Sequence, residues 1–277
     1  MDGYPHMPTT SGKAVLRPEE TARRSTLLQY PVAGPLGVFV ERTWAVHWDL
    51  PPGIEHVTEV VSQPCFNLTF HAGSAAMLHG VGSGVSRHPL SGSGRFFGLK
   101  FRPGGFRAFT GLPAHTLTDR SVPAAEVFPG VDDLGADGLP DEEAGAALTG
   151  YLAVRAPEPD ERYADLLAMV SAMLHDRRIS RTEQVARRFN HSERTLQRLF
   201  REYIGVSPKW MIQRYRLHDA AHTLAHEADT VLADLAAELG WSDQAHFTRD
   251  FKHHIGLTPG EYAAECASAD ALAGYSM

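Results

Sequence analysis

In the stretch TEQVARRFNHSERTLQRLFREYI, residues 182–204, a helical advance of about 100° per residue places Leu196, Leu199, Phe200, Tyr203 and Ile204 on one side. Arg194, Gln197, Arg198 and Arg201 fall on the other. That second set is a row of long hydrogen-bond donors. Arginine can grip guanine O6 and N7, glutamine can pair with adenine N6 and N7, and either can bind phosphate, so the row suits the major groove of a DNA duplex. A solvated charged helix face has the same composition. The elements around the row decide between the two readings.

Those elements occur twice. Residues 232–255 read LADLAAELGWSDQAHFTRDFKHHI, and in each unit a short helix (Val185, Ala186, Phe189; Leu235, Ala236, Leu239) meets a turn and then a second amphipathic helix. The turn needs a positive φ, which Gly240 adopts freely and Asn190 tolerates better than most side chains. Ser180 with Glu183 predicts a capping box for the first helix, and Ser192 and Asp243 are the expected N-caps of the two recognition helices. Aligning Phe247 with Leu196 puts Phe247, Phe251 and Ile255 inward and Ala245, Thr248, Arg249 and Lys252 outward. This second face is poorer in donors. His253 and His254, at the end of its helix, favour the helix dipole or touch phosphate.

Local charge points the same way. From Arg177 to Arg216 there are eleven Lys or Arg against Glu183, Glu193 and Glu202, whereas from Leu217 onward only Arg249 and Lys252 stand against ten acidic residues. Phosphate neutralisation supplies most non-specific affinity, so the first unit is expected to carry most of the binding and the second to add register. Between them SPKWMIQRYRLHDAAHTLAH, Ser207 to His226, reads as one helix started by Ser207 and Pro208. Its span of roughly 30 Å is close to the ~34 Å between consecutive major-groove faces. One chain could therefore read two adjacent major grooves of double-stranded DNA.

From about Asp160 to Ala264 the sequence resembles the DNA-binding domain of the AraC/XylS family of bacterial transcription regulators. The resemblance is carried by LQRLFRE, by the connector G-V-S-P-x-x-W-M-I-x-x-Y-R-L-x-x-A, and by DLAAELGWSDQAHFTRDFK with the closing GLTPGEY. It implies that Arg194, Gln197 and Arg198 occupy base-contacting positions, with Gln244 and Arg249 in the second unit. Two positions depart from the family: Asn190 stands where Gly is usual, and Ala245 offers no more than a methyl contact. The resemblance also implies partners beyond DNA: RNA polymerase for an activator, a small-molecule effector, and a second copy in a homodimer.

The chain has 277 residues, enough for two domains with a core each. Its formal charge of −7 does not oppose DNA binding, because the basic segment is local. Cys65 and Cys266 lie far apart, which indicates neither a disulfide framework nor a zinc finger. With no apolar stretch of membrane length and no signal-peptide core, a cytoplasmic protein without membrane contact is expected.

The expected fold class is α+β: a flexible arm over 1–26, a β-rich sensor or dimerisation domain over 27–156, and an all-α DNA-binding domain over 157–270. Between Leu36 and Phe101 short β-prone runs (VFVERTWAVHWDL, HVTEVV, CFNLTFHA, AAMLHGV, RFFGLKF) alternate with Gly and Pro, indicating an antiparallel sheet or small barrel. Helices are expected at Gly105 to Thr110, Glu142 to Val154 and Glu161 to Asp176, with a boundary at APEPD, residues 156–160. The pieces FFGLKFRPGGFRAF and LTDRSVPAAEVF resemble a poorly characterised actinobacterial type of β-rich N-terminal domain. That resemblance specifies no effector, and the Glu142 helix serves either dimerisation or packing on the sheet.

Several residues invite other chemistry. His47, His56, His71, His79 and His88 suggest a cupin-type metal site, yet no H-x-H occurs and His56 and Glu59 fall on opposite strand faces. Gly80 to Gly84 reads as a hairpin turn, lacking the Lys-Ser/Thr of a phosphate loop. Cys65 has no adjacent base and reads as a buried thiol. Trp44 and Trp48 share a strand face, with Val46 placed on the other, and read as core. No catalytic set, metal ligand set or cofactor is expected. The competing function class is an enzyme, with a cupin-like or alkyl-transfer site fused to the DNA-binding domain.

Overall fold

The computed structural model describes residues 13–274 other than 228, and the chain folds as α+β. Helix α1 (Pro18–Arg24) is followed by β1 (Thr26–Pro31), a 3-10 turn at Pro35–Val38, β2 (Val40–Asp49), β3 (Glu55–Val61), β4 (Asn67–His71), β5 (Met77–His79), β6 (Val85–Ser91) and β7 (Ser93–Phe101). With β8 (Ser121–Pro123), six strands form one sheet in the order β1-β2-β7-β4-β5-β8, while β3 and β6 make a separate ribbon. Every pairing is antiparallel.

The expected runs form β2, β3, β4, β5 and β7; alternate residues of β4 and β5 are buried, while β7 is buried on both faces from Phe97 to Phe101. Strands β1, β6 and β8 escape that pattern: TLLQYP is an exposed edge, VSRHPLS is mostly polar, and SVP is three residues long. Two expectations are corrected. Gly80 to Gly84 is not a hairpin turn, since β5 and β6 do not pair; it crosses from the large sheet to the ribbon. Val46 shares the face of Trp48 and packs with it, Leu50, Leu90 and Phe96, as alternate residues of a strand must.

After β7 come α2 (Gly105–Thr110), a 3-10 turn at Ala114–Leu117, and α3 (Asp141–Ala153). The connection into α2 requires glycine at Gly105, where a Cβ would collide with the Phe39 carbonyl. Beyond the 154–160 segment run α4 (Glu161–His175), α5 (Thr182–Arg188), α6 (Glu193–Tyr203), α7 (Pro208–His226), α8 (Leu232–Glu238), α9 (Gln244–Ile255) and α10 (Pro259–Gly274). No helix among the described residues is long and apolar enough to cross a membrane.

The core is not divided at the boundary expected near residue 156. One continuous cluster joins Phe39, Phe66, Phe101 and Phe106 to Tyr163, Leu196, Phe200 and Tyr215, so α4 and α6 pack on the β-rich part. A second cluster, around Leu217, Leu235, Phe247, Phe251 and Tyr262, takes in Leu16 and Val61 from the N-terminal half. Residues 1–12 of the expected flexible arm lie outside the described residues. Its remainder is corrected: Leu16 is 1% exposed, Val15 bridges to Val60, and Lys13 pairs with Asp219 at 2.7 Å. Burying Leu16 in the α7–α10 core and pairing Lys13 removes the freedom expected of a polar tail.

Candidate nucleic-acid interface

The first unit is α5, a turn and α6. Val185 and Ala186 are buried, and Asn190 takes φ 53°, the left-handed conformation that the turn demands. Ser192 Oγ accepts the Thr195 backbone N–H at 3.1 Å and so caps α6. The cap of α5 differs from the Ser180–Glu183 expectation. Gln184 Oε1 accepts the backbone N–H groups of Ser180 at 2.7 Å and Arg181 at 2.8 Å, because the helix begins at Thr182 and not at Arg181.

On α6, Leu196, Phe200, Tyr203 and Ile204 turn inward and Leu199 is half-buried. Arg194, Gln197, Arg198 and Arg201 are all exposed, and none has a hydrogen bond or ion pair among the described residues. The back of the helix is fixed from three sides. Tyr203 donates its hydroxyl to Asp160 Oδ2 at 3.1 Å, Thr118 donates to the Gly205 carbonyl at 2.8 Å, and Arg107 pairs with Glu202. The donor row is thus presented on a helix whose far side is anchored in the β-rich part.

The second unit repeats the geometry with fewer donors. Gly240 makes the turn at φ 78°, and a Cβ there would lie 2.7 Å from the Arg216 guanidinium. Asp243 caps α9 by accepting the His246 N–H at 2.7 Å, and this bond with the Ser242 hydroxyl holds its carboxyl below the ordinary range. Phe247, Phe251 and Ile255 are buried, while Gln244, Ala245, Arg249 and Lys252 are exposed and Thr248 is half-buried. Arg249 lies within electrostatic range of Asp243, and Lys252 of Glu261. The cations of this face work next to carboxylates.

The long connector is as expected: Ser207 Oγ accepts the Trp210 N–H at 3.1 Å, and α7 runs 19 residues, about 28 Å at the usual helical rise. What the sequence count missed is how many of the eleven cations are spent. Arg214 and Arg216 turn into the structure: Arg214 is 1% exposed and donates to the Ser83 carbonyl at 2.6 Å. Burial lowers its pKa to about 10. Arg178 and Arg188 share Asp176 at 2.9 and 3.0 Å, and the Arg178 hydrogen bond leads in holding that carboxyl down to about 2. Arg177 reaches across to Glu238 on α8, bracing one unit against the other. Arg181, Arg187 and Lys209 remain without an ion pair among the described residues and add to the α6 row.

Elsewhere, the N-terminal histidines are dispersed. His79 sits between Thr69 and Ser121 at 2.8 Å each, and His47 meets Asp141 at 2.8 Å. Among the described residues no three His, Cys, Asp or Glu are placed to hold a metal. Cys65 is buried, and burial pushes its thiol up, away from the reactive thiolate.

Two helix-turn-helix units behind a β-rich domain, the first with an unspent row of donors, define the architecture of a two-headed DNA-binding protein. A helix-turn-helix domain model matches residues 185–265, and a domain of unknown function (DUF6597) matches residues 28–123. A probable transcription factor, PqrA of Proteus vulgaris, is 32% identical over 98 residues, covering 35% of this chain and 80% of PqrA. The HTH-type transcriptional activator RhaS of Escherichia coli is 34% identical over 101 residues, 36% of each protein. The chain belongs to the AraC/XylS family of helix-turn-helix transcription regulators. An HTH-type regulator of Haemophilus influenzae is 36% identical over 80 residues, and the chain spans only 26% of its length. Among solved structures, an AraC-type regulator from Chromobacterium violaceum is 28% identical, covers 38% of this chain and 93% of its own, and superposes with a TM-score of 0.35.

Proposed function

We propose that this protein is a sequence-specific transcription regulator that grips double-stranded DNA through two adjacent major grooves. Helix α6 is the principal reader, with Arg194, Gln197 and Arg198 on bases and Arg201 on phosphate. Helix α9 is the weaker reader, through Gln244, Thr248, Arg249 and Lys252. The N-terminal part controls the readers, through a small effector or a second copy, and RNA polymerase is the partner of the bound form.

One observation carries this reading. Of the nine arginines and lysines between 177 and 216 that do not turn into the structure, Arg177, Arg178 and Arg188 are ion-paired, while Arg194, Arg198 and Arg201 stand in a row with Gln197 on the outer face of α6, without an ion pair among the described residues. Long charged side chains held free on a helix whose back is buried are what a polyanion with readable edges requires.

The test is a selection of genomic fragments by the purified full-length chain, followed by binding measurements on the selected site and on random DNA. The Gln197→Ala/Arg198→Ala double variant should lose discrimination while keeping its circular dichroism spectrum. Retained discrimination would remove α6 as the reader.

A further inference from the structure

A groove runs along the outside of the N-terminal part, between the edge strand β1 with its continuation to residue 36 and helix α3. Its polar end, about 680 Å³, is formed by Leu28, His47, Arg95 and the first residues of α3. Its apolar end, about 750 Å³, is formed by Pro31, Val32 and Pro35 on one wall and Ala146, Gly150 and Ala153 on the other. Each volume falls within the range of small-molecule sites, roughly 300–1,000 Å³.

The charges at the polar end are unequal in what they have left to give. Asp141 is committed: its Oδ1 accepts from Arg95 Nε at 2.7 Å and its Oδ2 meets His47 Nε2 at 2.8 Å. Arg95 donates from Nη1 to the Leu139 carbonyl at 2.8 Å, pinning the chain that enters α3, and its Nη2 is buried without a hydrogen-bond partner among the described residues. The next two residues, Glu142 and Glu143, are exposed, line the groove and have no ion pair among the described residues. Acidic residues in a first turn also favour the helix dipole. These two, however, open on a groove whose small apolar walls begin one turn further along the same helix, at Ala146.

We propose that this groove binds a small organic cation with an apolar body. Its ammonium or amidinium group sits against Glu142 and Glu143, and its hydrocarbon part lies along Ala146, Gly150 and Ala153 opposite Pro31 and Val32. An anion would meet two unmatched carboxylates. A neutral ligand would gain nothing from them.

Both walls lead to the first reader. From the end of α3 the non-helical segment 154–160 leads to Asp160, whose Oδ1 accepts the Tyr163 N–H at 2.7 Å and whose Oδ2 accepts the Tyr203 hydroxyl of α6 at 3.1 Å. The other wall ends at Val38, whose carbonyl accepts the Tyr163 hydroxyl at 2.9 Å. A ligand that wedges α3 against β1 therefore acts on the two tyrosines that seat α6. This regulatory consequence rests on the reading of the protein as a DNA-binding regulator; the binding itself does not.

The experiment is a calorimetric titration of the full-length protein, without DNA, by phenylbutylammonium and by its isosteres phenylbutyrate and phenylbutanol. The cation should bind at least about tenfold more tightly than either isostere. Glu142→Gln/Glu143→Gln should erase that preference. Gly150→Leu should abolish binding without lowering the melting temperature, because a Cβ at Gly150 meets nothing within 4 Å and leucine is the better helix former. Failure of the cation to bind, equal binding of either isostere, or cation binding that survives Gly150→Leu overturns the site. Titration of the selected DNA fragment with and without saturating cation then tests the coupling. A changed Kd supports it; an unchanged Kd with intact cation binding overturns the coupling and leaves DNA binding standing.

Discussion

Arg107, on α2 of the β-rich part, pairs with Glu202 on the back of the first recognition helix and lies 4.5 Å from the centre of the Tyr203 ring. One guanidinium thus neutralises an acid of α6 and packs on the residue that anchors it. Removing it leaves a bare carboxylate on the helix proposed to face DNA and loosens the seat of Tyr203. Arg107→Ala should weaken binding of the selected site about three- to tenfold, as expected for the loss of roughly 1 kcal/mol at a half-exposed pair. Arg107→Ala/Glu202→Gln should recover most of the loss if charge is responsible. Fluorescence anisotropy titrations of the two variants read this directly, and no recovery assigns the effect to the Tyr203 contact instead.

Arg201 is exposed, without an ion pair among the described residues, and sits two turns along α6 from Arg194. As a phosphate contact it should act on all sequences alike. Arg201→Ala is expected to lower affinity for selected and random DNA by the same factor and to reduce the slope of log K against log salt by about one. An unchanged slope removes Arg201 from the phosphate contacts.

The two readers should respond unequally. Arg249 shares its surroundings with the Asp243 carboxylate, whereas Arg198 has no acid partner among the described residues. Arg249→Ala should therefore cost less than Arg198→Ala, for which about 1–3 kcal/mol is expected if the side chain grips a base. Parallel titrations on one operator decide it, and an equal or larger loss at Arg249 refutes the asymmetry.

Asn190 holds φ 53° in the turn before α6. A residue with an ordinary Cβ and no side-chain amide pays about 1 kcal/mol to stay there. Asn190→Ala should lower stability by that amount and Asn190→Gly should not, as read from urea midpoints.

What the sequence made legible was local. The positive φ at Asn190 and Gly240, the caps at Ser192 and Asp243, and the buried row of α6 follow from neighbours within one helical turn, and each stands where the residue types demanded. What it hid depended on distant partners. Gln184, not Glu183, caps α5, because two backbone N–H groups converge on the side chain one position further on. The charge count could not know that α7 is covered on several sides, so that Arg214 points at Ser83 and leaves the outer surface. Leu16, in a polar N-terminal stretch, gave no period to read; it is buried because the second helical core has a place for it. Strand β1 is likewise set by pairing with β2, which no property of TLLQYP announces.

His218 gives the structure a pH dependence of definite sign. It lies fully buried on α7, and burial, reinforced by the Arg214 and Lys100 cations, lowers its pKa to about 3. An unfolded imidazole titrates near 6.5. On acidification the unfolded chain takes up this proton first, so the contribution to stability is complete above about pH 6.5 and declines by about 1.4 kcal/mol per unit as the pH falls from there towards 3. Other histidines with lowered values, His79, His88 and His254 among them, add to the slope. The share of His218 is therefore read as a difference. Urea midpoints of the native chain and of His218→Asn, measured at pH 7.5 and 5.5, should show a smaller fall for the variant by about one proton's worth. Equal falls in the two proteins would mean that the imidazole reaches water before the chain unfolds and that α7 parts from the β-rich half as a separate step.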